Sequence, residues 1–201
     1  MTHFAGKMVR MLLLSAISTV LLAGFAAAAE SQQAVAVGAT TGSSLRLRAD
    51  ASTDDVIMEV LKTYEERGEH FDNFCCIYPT APFVTGERLK QAMELLADSD
   101  SVMPVVLFSY PPQRGLLISE EGFLKRQFPE YALARSQDLQ KIYHDCGQFY
   151  ACRTDVFLKE GTTDVKGQVP LVLTEMEVQD IDTLEDWEIA EIKYRRLHSE
   201  S

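Results

Sequence analysis

The chain has 201 residues, of which 46% are hydrophobic and 24% are charged, which is enough for one globular domain with a core and excludes a disordered or fibrous protein. Its 19 basic and 30 acidic residues give a formal net charge of -11. Such a surface repels phosphate polymers and anionic membranes, so we expect no nucleic-acid partner and no stable membrane partner.

The first thirty residues have the pattern of a secretory signal. The chain carries no charge from Met11 to Ala29, and the basic residues Lys7 and Arg10 precede this run. A basic start, an apolar middle and the small residues before Glu30 are the three parts of an export signal. The run is also close to the roughly 20 residues that a membrane-spanning helix needs. Taken alone, these residues are therefore compatible either with a cleaved export signal or with an uncleaved membrane anchor.

Helix and strand patterns alternate from residue 53 onward. Thr53 to Asp55 can cap a helix that Gly68 ends, and Thr85 begins a second helix. Short apolar runs predict four buried strands, at residues 74–78, 102–108, 147–152 and 169–173. This alternation predicts an α/β sheet that is covered by helices on both faces.

Four cysteines are present, and two of them, Cys75 and Cys76, are adjacent. Their spacing matches neither a disulfide scaffold nor a zinc knuckle. If residues 74–78 form a strand, the two side chains face opposite sides of the sheet. We therefore expect reduced thiols that are buried in the core.

Two aspartates near the carboxyl terminus form the most informative pattern. In an extended backbone Asp180 and Asp182 point the same way, and a pair of carboxylates suits Mg²⁺ that is shared with a nucleotide phosphate. The alternative is structural: Thr183 begins a helix, Asp186 completes a capping box, and Asp182 merely favours the helix dipole. Spacing alone leaves both interpretations open.

Polar side chains in three further segments suit a hydroxylated, acidic ligand. Arginine forks bind carboxylates or phosphates, and glutamine amides bind hydroxyl groups. Tyr78 and Thr80 follow an apolar strand, where ligands bind in α/β sheets. The alternative is that these segments are ordinary polar loops and a proline-stiffened turn. The candidate ligand-binding residues in the other two segments are Arg114, Arg135, Gln137 and Gln148.

Four ordered motifs together resemble the cytidylyltransferases that activate nonulosonic acids, and among these the pseudaminic acid cytidylyltransferases most closely. The resemblance covers about residues 44–197. It implies a GT-A-like three-layer α/β fold with a mostly parallel central sheet, and transfer of CMP from CTP to a nine-carbon α-keto acid with Mg²⁺ and release of pyrophosphate. It also implies a product used for surface glycans or flagellin. The motifs are CCIYPTAPF (75–83), RSQDL (135–139), YHDCGQFYAC (143–152) and VQDIDTLEDW (178–187).

The resemblance assigns roles to individual residues. Asp180 and Asp182 match the metal-binding aspartates of the family, and Arg135 matches the first basic residue of its substrate loop. Ser136 replaces a second arginine that sialate relatives carry. Tyr78 replaces their glutamine, which favours pseudaminate without deciding which nonulosonic acid is used. The relatives often pair through a segment between the central strands, so the resemblance is compatible with a homodimer.

The amino terminus departs from the family, whose basic glycine-containing phosphate loop has no match here. Phe4 to Lys7 resembles a remnant of the segment after that loop, and Arg48 lies near a nucleotide-binding arginine of relatives. We therefore expect a divergent, signal-like or corrupted segment at residues 1–43, an amino-terminally truncated cytidylyltransferase domain at 44–198, and a chain that is a poor catalyst. Because CTP is cytoplasmic, we expect a cytoplasmic protein, with export as the alternative. The alternative function is an inactive homologue or an exported sugar-binding protein.

Overall fold

The structure is a computed structural model that describes residues 11–15, 35–39 and 52–199. These residues form four helices, a main sheet of seven strands and a separate two-stranded hairpin. The helices are α1 (Thr53–Glu66), α2 (Gly86–Leu96), α3 (Thr154–Glu160) and α4 (Leu184–His198). The main sheet contains β1 (Met11–Ser15), β2 (Val35–Ala39), β3 (Asn73–Ile77), β4 (Ser101–Leu107), β7 (Tyr143–Asp145), β8 (Phe149–Arg153) and β9 (Gln168–Leu173), and the hairpin contains β5 (Leu116–Ile118) and β6 (Leu124–Arg126).

The strands of the main sheet run in the order β2-β1-β3-β8-β4-β7, and β9 pairs with β4. Five of the seven described strands share one direction, whereas β7 and β8 run antiparallel to their neighbours. The predicted α/β class with a mostly parallel sheet is therefore confirmed. The four predicted strands correspond to β3, β4, β8 and β9, with ends shifted by one or two residues.

The sheet has a bulge where β7 passes into β8. Asp145 pairs with Val105 and Ala151 pairs with Val102, so the β7–β8 segment advances six residues while β4 advances three. The extra length is taken up around Gly147, whose φ of +60° lies in the left-handed region that glycine adopts without strain. The bulge interrupts the regular pairing of residues 146–148 with β4, although the Cys146 N–H still donates to the Pro104 carbonyl.

Helices cover both faces of the sheet. On one face α1 and α3 pack over Phe74 and Cys152, and on the other α2 packs over Val102 and Ala151. Cys75 is buried on the face that α2 covers, and Cys76 packs on the face that α1 and α3 cover, so the adjacent thiols face opposite sides of the sheet, as predicted. All four cysteines are free.

The helix starts follow the capping chemistry of the sequence. Thr85 caps α2 by accepting a hydrogen bond from the Arg88 backbone, as predicted. The cap of α1 is Ser52, one residue before the expected Thr53, because the Ser52 hydroxyl accepts from the Asp55 backbone while the Asp55 carboxylate accepts from Ser52. The prediction of that cap was wrong by one residue.

Several elements were not predicted. The strands β5, β6 and β7 have three residues each, which is too short to show a period, and α3 follows β8 without a break. The strand β1 lies at the start of the apolar run that resembles an export signal, and it pairs in parallel with β3. The strand β2 lies within residues 1–43, which we expected to be a divergent, signal-like or corrupted segment. Phe4 to Lys7 lie outside the described residues.

Two expectations about the amino-terminal part of the chain concern a membrane anchor and a domain boundary. Within the described ranges, no helix is long and apolar enough to cross a membrane. The boundary expected between residues 43 and 44 stays a prediction, although β1 and β2 from the first part join the same sheet as the strands that follow.

Candidate active site at the carboxyl edge of the sheet

The predicted site residues follow strands that end at one edge of the sheet. Because β3, β4 and β9 run in the same direction, the segments after them meet there. Tyr78 follows β3, Arg114 follows β4 and Asp180 follows β9. The bulge that contains Gln148 lies beside the end of β3, where the Tyr78 N–H donates to the Gln148 carbonyl over 2.9 Å.

Asp145 shapes the bulge from within the chain. Its Oδ1 accepts a hydrogen bond from the Gly147 N–H at 2.9 Å, which is the local pattern of an Asx turn. Its other carboxylate oxygen accepts the hydroxyl of Tyr150. Burial first, and then the Asp145 carboxylate, raise the pKa of Tyr150 well above its usual range, so the phenol stays protonated and keeps donating.

Gly147 brings the backbone close to Asp180. A Cβ atom at position 147 would lie 3.7 Å from Oδ1 of Asp180 and 3.8 Å from its Oδ2. The bulge between β7 and β8 and the segment after β9 therefore meet at these two residues.

Tyr78 lies on the other side of the bulge. Its ring packs edge-on against Tyr150, with the ring centroids 5.7 Å apart, and its hydroxyl is 2.6 Å from the Thr53 hydroxyl. Tyr78 is thus half-buried and joined to the start of α1. Thr80, which was predicted with it, is exposed in the turn after β3.

Gln148 is almost fully buried, with 2% of its surface exposed. Its Nε2 donates to the Glu177 carbonyl over 2.5 Å. The structure thus directs this amide toward the protein backbone, where it ties β8 to the segment before Asp180. Its predicted role in binding substrate stays a prediction.

Glu177 anchors the same segment from its side chain. Its Oε1 accepts two hydrogen bonds from the Arg88 guanidinium, from Nε at 2.8 Å and from Nη2 at 2.5 Å. Its Oε2 accepts from the backbone N–H and the hydroxyl of Thr174. Burial alone raises the pKa of Glu177, but the hydrogen bonds from Thr174 and Arg88 outweigh it and the pKa lies below its ordinary value.

Asp180 and Asp182 are exposed, and within residues 52–199 neither carboxylate forms a hydrogen bond or an ion pair. The predicted capping box is also present: Thr183 caps α4 and accepts from the Asp186 backbone, while Asp186 accepts from Thr183. The two interpretations of this motif are therefore compatible, because the cap uses Thr183 and Asp186 and leaves both other carboxylates unpaired.

The residues present fit a hard divalent cation that is shared with a substrate. Asp180 and Asp182 lie two residues apart, their carboxylates have no partner in the part of the chain that the structure describes, and Gly147 leaves Asp180 uncrowded. Mg²⁺ accepts such a pair of carboxylates when phosphates complete its shell. No group of three or more metal-ligating side chains is found within the described residues. A metal here would thus depend on oxygen atoms from water or a nucleotide.

The remaining predicted residues form a second cluster after β4. The Arg114 guanidinium donates to the Ser136 hydroxyl at 3.1 Å, which brings Arg114 to the loop of residues 135–139. In that loop Arg135 donates to Asp138 at 2.7 Å, and Gln137 is exposed between them. Arg48 lies outside the described residues.

Asp145, Arg88 and Glu177 were not among the predicted site residues. The pattern Asp-x-Gly at 145–147 is a turn signal that identifies Asp145 as a local acceptor. No sequence pattern indicates the Arg88–Glu177 pair, because its members are 89 residues apart and meet only in the folded chain.

Comparison with known proteins places this site in context. No protein-family model matches the chain. The chain is 33% identical over 150 residues to the pseudaminic acid cytidylyltransferase of Campylobacter jejuni subsp. jejuni serotype O:2, a match over 74% of this chain and 65% of the relative. It is 32% identical to the serotype O:23/36 protein of the same name over the same shares. The chain therefore spans slightly less than two thirds of the length of these relatives.

Solved structures share the fold at low sequence identity. The 4-diphosphocytidyl-2C-methyl-D-erythritol synthase of Anaerococcus prevotii superposes with a TM-score of 0.56 at 11% identity, over 93% of this chain and 96% of that one. A CMP:2-keto-3-deoxy-manno-octonic acid synthetase, solved with CTP, gives 0.53 at 12% identity, over 96% and 100%. The chain thus has the cytidylyltransferase fold, and the resemblance predicted from its four motifs is confirmed.

Proposed function

We propose that this chain, a homologue of proteins named pseudaminic acid cytidylyltransferase, transfers CMP from CTP to a nonulosonic acid, most specifically pseudaminic acid. The observation that carries the proposal is a pair of exposed carboxylates, Asp180 and Asp182, that have no partner among the described residues and lie at the edge of a sheet with the cytidylyltransferase fold. The homology supports the substrate class. The carboxylate pair supports the site.

In the proposed reaction the anomeric hydroxyl oxygen of the sugar forms a bond to the α-phosphorus of CTP. The bond from that phosphorus to the oxygen bridging to the β-phosphorus breaks, pyrophosphate leaves, and the hydroxyl proton passes to solvent. Asp180 and Asp182 would hold Mg²⁺, which supplies charge stabilisation at phosphate oxygens when bound. The chain's part is to fix these carboxylates and the two substrates in position.

The sugar side of the proposed site contains Arg114 and Arg135. Each guanidinium is exposed. Arg114 donates to Ser136 through Nη1 and Arg135 donates to Asp138 through Nε, and their other nitrogen atoms would donate to a sugar carboxylate. Gln137 lies beside them in the same exposed loop and offers an amide for hydroxyl groups. Tyr78 and Thr80 would line the neighbouring wall at the end of β3.

The hairpin of β5 and β6 supports a homodimer. Its side chains include the exposed apolar groups Leu117, Ile118 and Leu124, of which Ile118 is 75% and Leu124 68% exposed. Two short strands carrying such side chains are marginal alone and gain stability by packing on another surface. We propose that two copies pair through this hairpin, and that the enzyme acts in the cytoplasm, where CTP is made.

A substrate panel tests the function. The purified chain is incubated with CTP, Mg²⁺ and one of three acids, pseudaminate, legionaminate or sialate, and CMP-sugar is separated by chromatography. We expect slow formation of product, because the family's phosphate loop has no match in this sequence, and the highest of the three rates with pseudaminate. Product with sialate alone would overturn the choice of sugar, and sugar binding without product would support the alternative of an inactive binding protein.

A further inference from the structure

Lys193 reaches from α4 back to the segment before Asp180. Its ammonium Nζ donates to the Val178 carbonyl at 2.7 Å and to Oε1 of Gln179 at 3.0 Å. Val178 and Gln179 are the two residues before Asp180 in the chain. A lysine ammonium carries three donors and no acceptor, so it can hold two oxygen atoms of one segment at the same time.

Gln179 extends this contact toward the candidate metal site. Because its Oε1 faces Lys193, its Nε2 faces the other way and donates to the Asp180 carbonyl at 3.1 Å. The same Nε2 lies 3.4 Å from Oδ1 of Asp186, in the first turn of α4. A chain of hydrogen bonds thus runs from Lys193 through Gln179 to the backbone of Asp180.

Among the described residues, Lys193 has no ion-pair partner. Within residues 52–199, no carboxylate oxygen lies within 4.0 Å of its Nζ, whereas six other basic side chains of that region form ion pairs. Lys193 is also half-buried, in contrast to the exposed lysines at positions 90 and 159. A half-buried cation that binds only neutral oxygen atoms of one segment is placed to fix that segment.

We propose that Lys193 is a positioning residue that sets the affinity of Asp180 and Asp182 for their divalent cation. The inference rests on the proposed function, because it requires that these two aspartates hold a metal. Lys193 acts through the backbone at 178–180 and through Gln179. Groups that orient metal ligands in this way typically change metal affinity by about tenfold or more when they are removed.

The test is Mn²⁺ binding measured by calorimetry on the full chain in the presence of CTP, with Lys193→Met, Lys193→Arg and the surface control Lys90→Met. Methionine keeps an unbranched stem and removes the ammonium. We expect about tenfold weaker Mn²⁺ binding by Lys193→Met, partial recovery in Lys193→Arg, and no change in Lys90→Met. Thermal unfolding of each variant reports whether the fold is intact.

The outcomes separate the positioning role from the proposed function. If the wild-type chain binds Mn²⁺ and Lys193→Met binds it equally well, the positioning role is wrong while the proposed function stands. The positioning role is also wrong if Lys193→Met loses stability without any change in Mn²⁺ affinity. If the wild-type chain itself binds no Mn²⁺ in the presence of CTP, the metal site of the proposed function fails, and the role of Lys193 fails with it.

Discussion

Gly147 faces the carboxylate of Asp180 at van der Waals distance, with 3.7 Å between a Cβ built on the glycine and Oδ1 of the aspartate. The glycine belongs to the bulge between β7 and β8, and the aspartate belongs to the segment after β9. This proximity brings the sheet next to the carboxylate pair that we propose as the metal site, so a side chain introduced at Gly147 reports on the site.

Gly147→Ala is expected to lower stability and to weaken the site. At φ +60° an alanine costs about 1–2 kcal/mol, and its methyl group removes space for water on one side of Asp180. Gly161→Ala is the matched control, since Gly161 has a φ of +74° and no atom within 4 Å of an added Cβ. We expect similar losses in thermal stability, but a higher Mg²⁺ requirement for CMP transfer only in Gly147→Ala. Equal Mg²⁺ requirements in both variants would contradict the assignment.

The Glu177 carboxylate predicts a dependence of stability on pH. Its pKa in the folded chain lies below the ordinary value of 4.5, so it stabilises the fold above that value and the contribution is lost as the pH falls through the lowered pKa. Glu177→Gln should therefore be less stable than wild type by about 1–3 kcal/mol at pH 7. The difference should shrink below pH 4.

The measurement is urea unfolding at pH 7 and at a pH below 4. Glu94→Gln is the control, because Glu94 is exposed and its carboxylate lies 4.0 Å from the ammonium of Lys90. If Glu177→Gln lowers stability equally at both pH values, the contacts with Arg88 and Thr174 do not depend on the charge of Glu177, and the prediction is wrong.

The cysteines are expected to react slowly in the folded chain. Burial raises the pKa of Cys76 to about 11 and that of Cys146 and Cys152 to about 12. Only the thiolate reacts with alkylating agents, and little of it is present at pH 7.5. Mass spectrometry after iodoacetamide treatment should show little labelling of the native chain and full labelling in urea. Rapid labelling of the native chain at these positions would contradict their burial.

The hairpin of β5 and β6 should control the oligomeric state. Ile118→Asp places a charge among exposed apolar side chains, so it should convert a dimer to a monomer in sedimentation experiments. Leu184→Asp, at an 85% exposed position on α4, is the control and should leave the dimer intact. A wild-type chain that is monomeric at tens of micromolar, or a dimer that survives Ile118→Asp, would exclude pairing through the hairpin.

The sequence predicted the parts of the fold that have a clear period or a clear stop. The strand β3 was predicted because an apolar run ends at Pro79, and α2 because Thr85 precedes residues at helical spacing. The strand β1 was not predicted, because the apolar middle of a signal sequence and a buried strand have the same composition. Its pairing with β3 depends on residues about sixty positions away.

The site shows the same division. Asp180 and Asp182 were predicted from their spacing, and the cap at Thr183 was predicted from the same motif. The contacts that place them come from Gln148, Arg88 and Lys193, which lie on three different elements. Only the folded chain brings these residues together, so no local pattern indicates their contacts, although Gln148 was predicted as a ligand-binding residue.

The most direct test of the account is CMP transfer by Asp180→Asn and Asp182→Asn, compared with wild type and with the cap variant Thr183→Ala. The amides keep the shape of the side chains and remove the charge that would hold Mg²⁺. With CTP and pseudaminate, we expect wild type to form CMP-sugar only when Mg²⁺ is present, and each Asn variant to be slower by roughly a hundredfold or more. Thr183→Ala should lose about 1 kcal/mol of stability and keep its activity. Unchanged activity in both Asn variants at saturating Mg²⁺ would show that the carboxylate pair is structural and would contradict the proposed function.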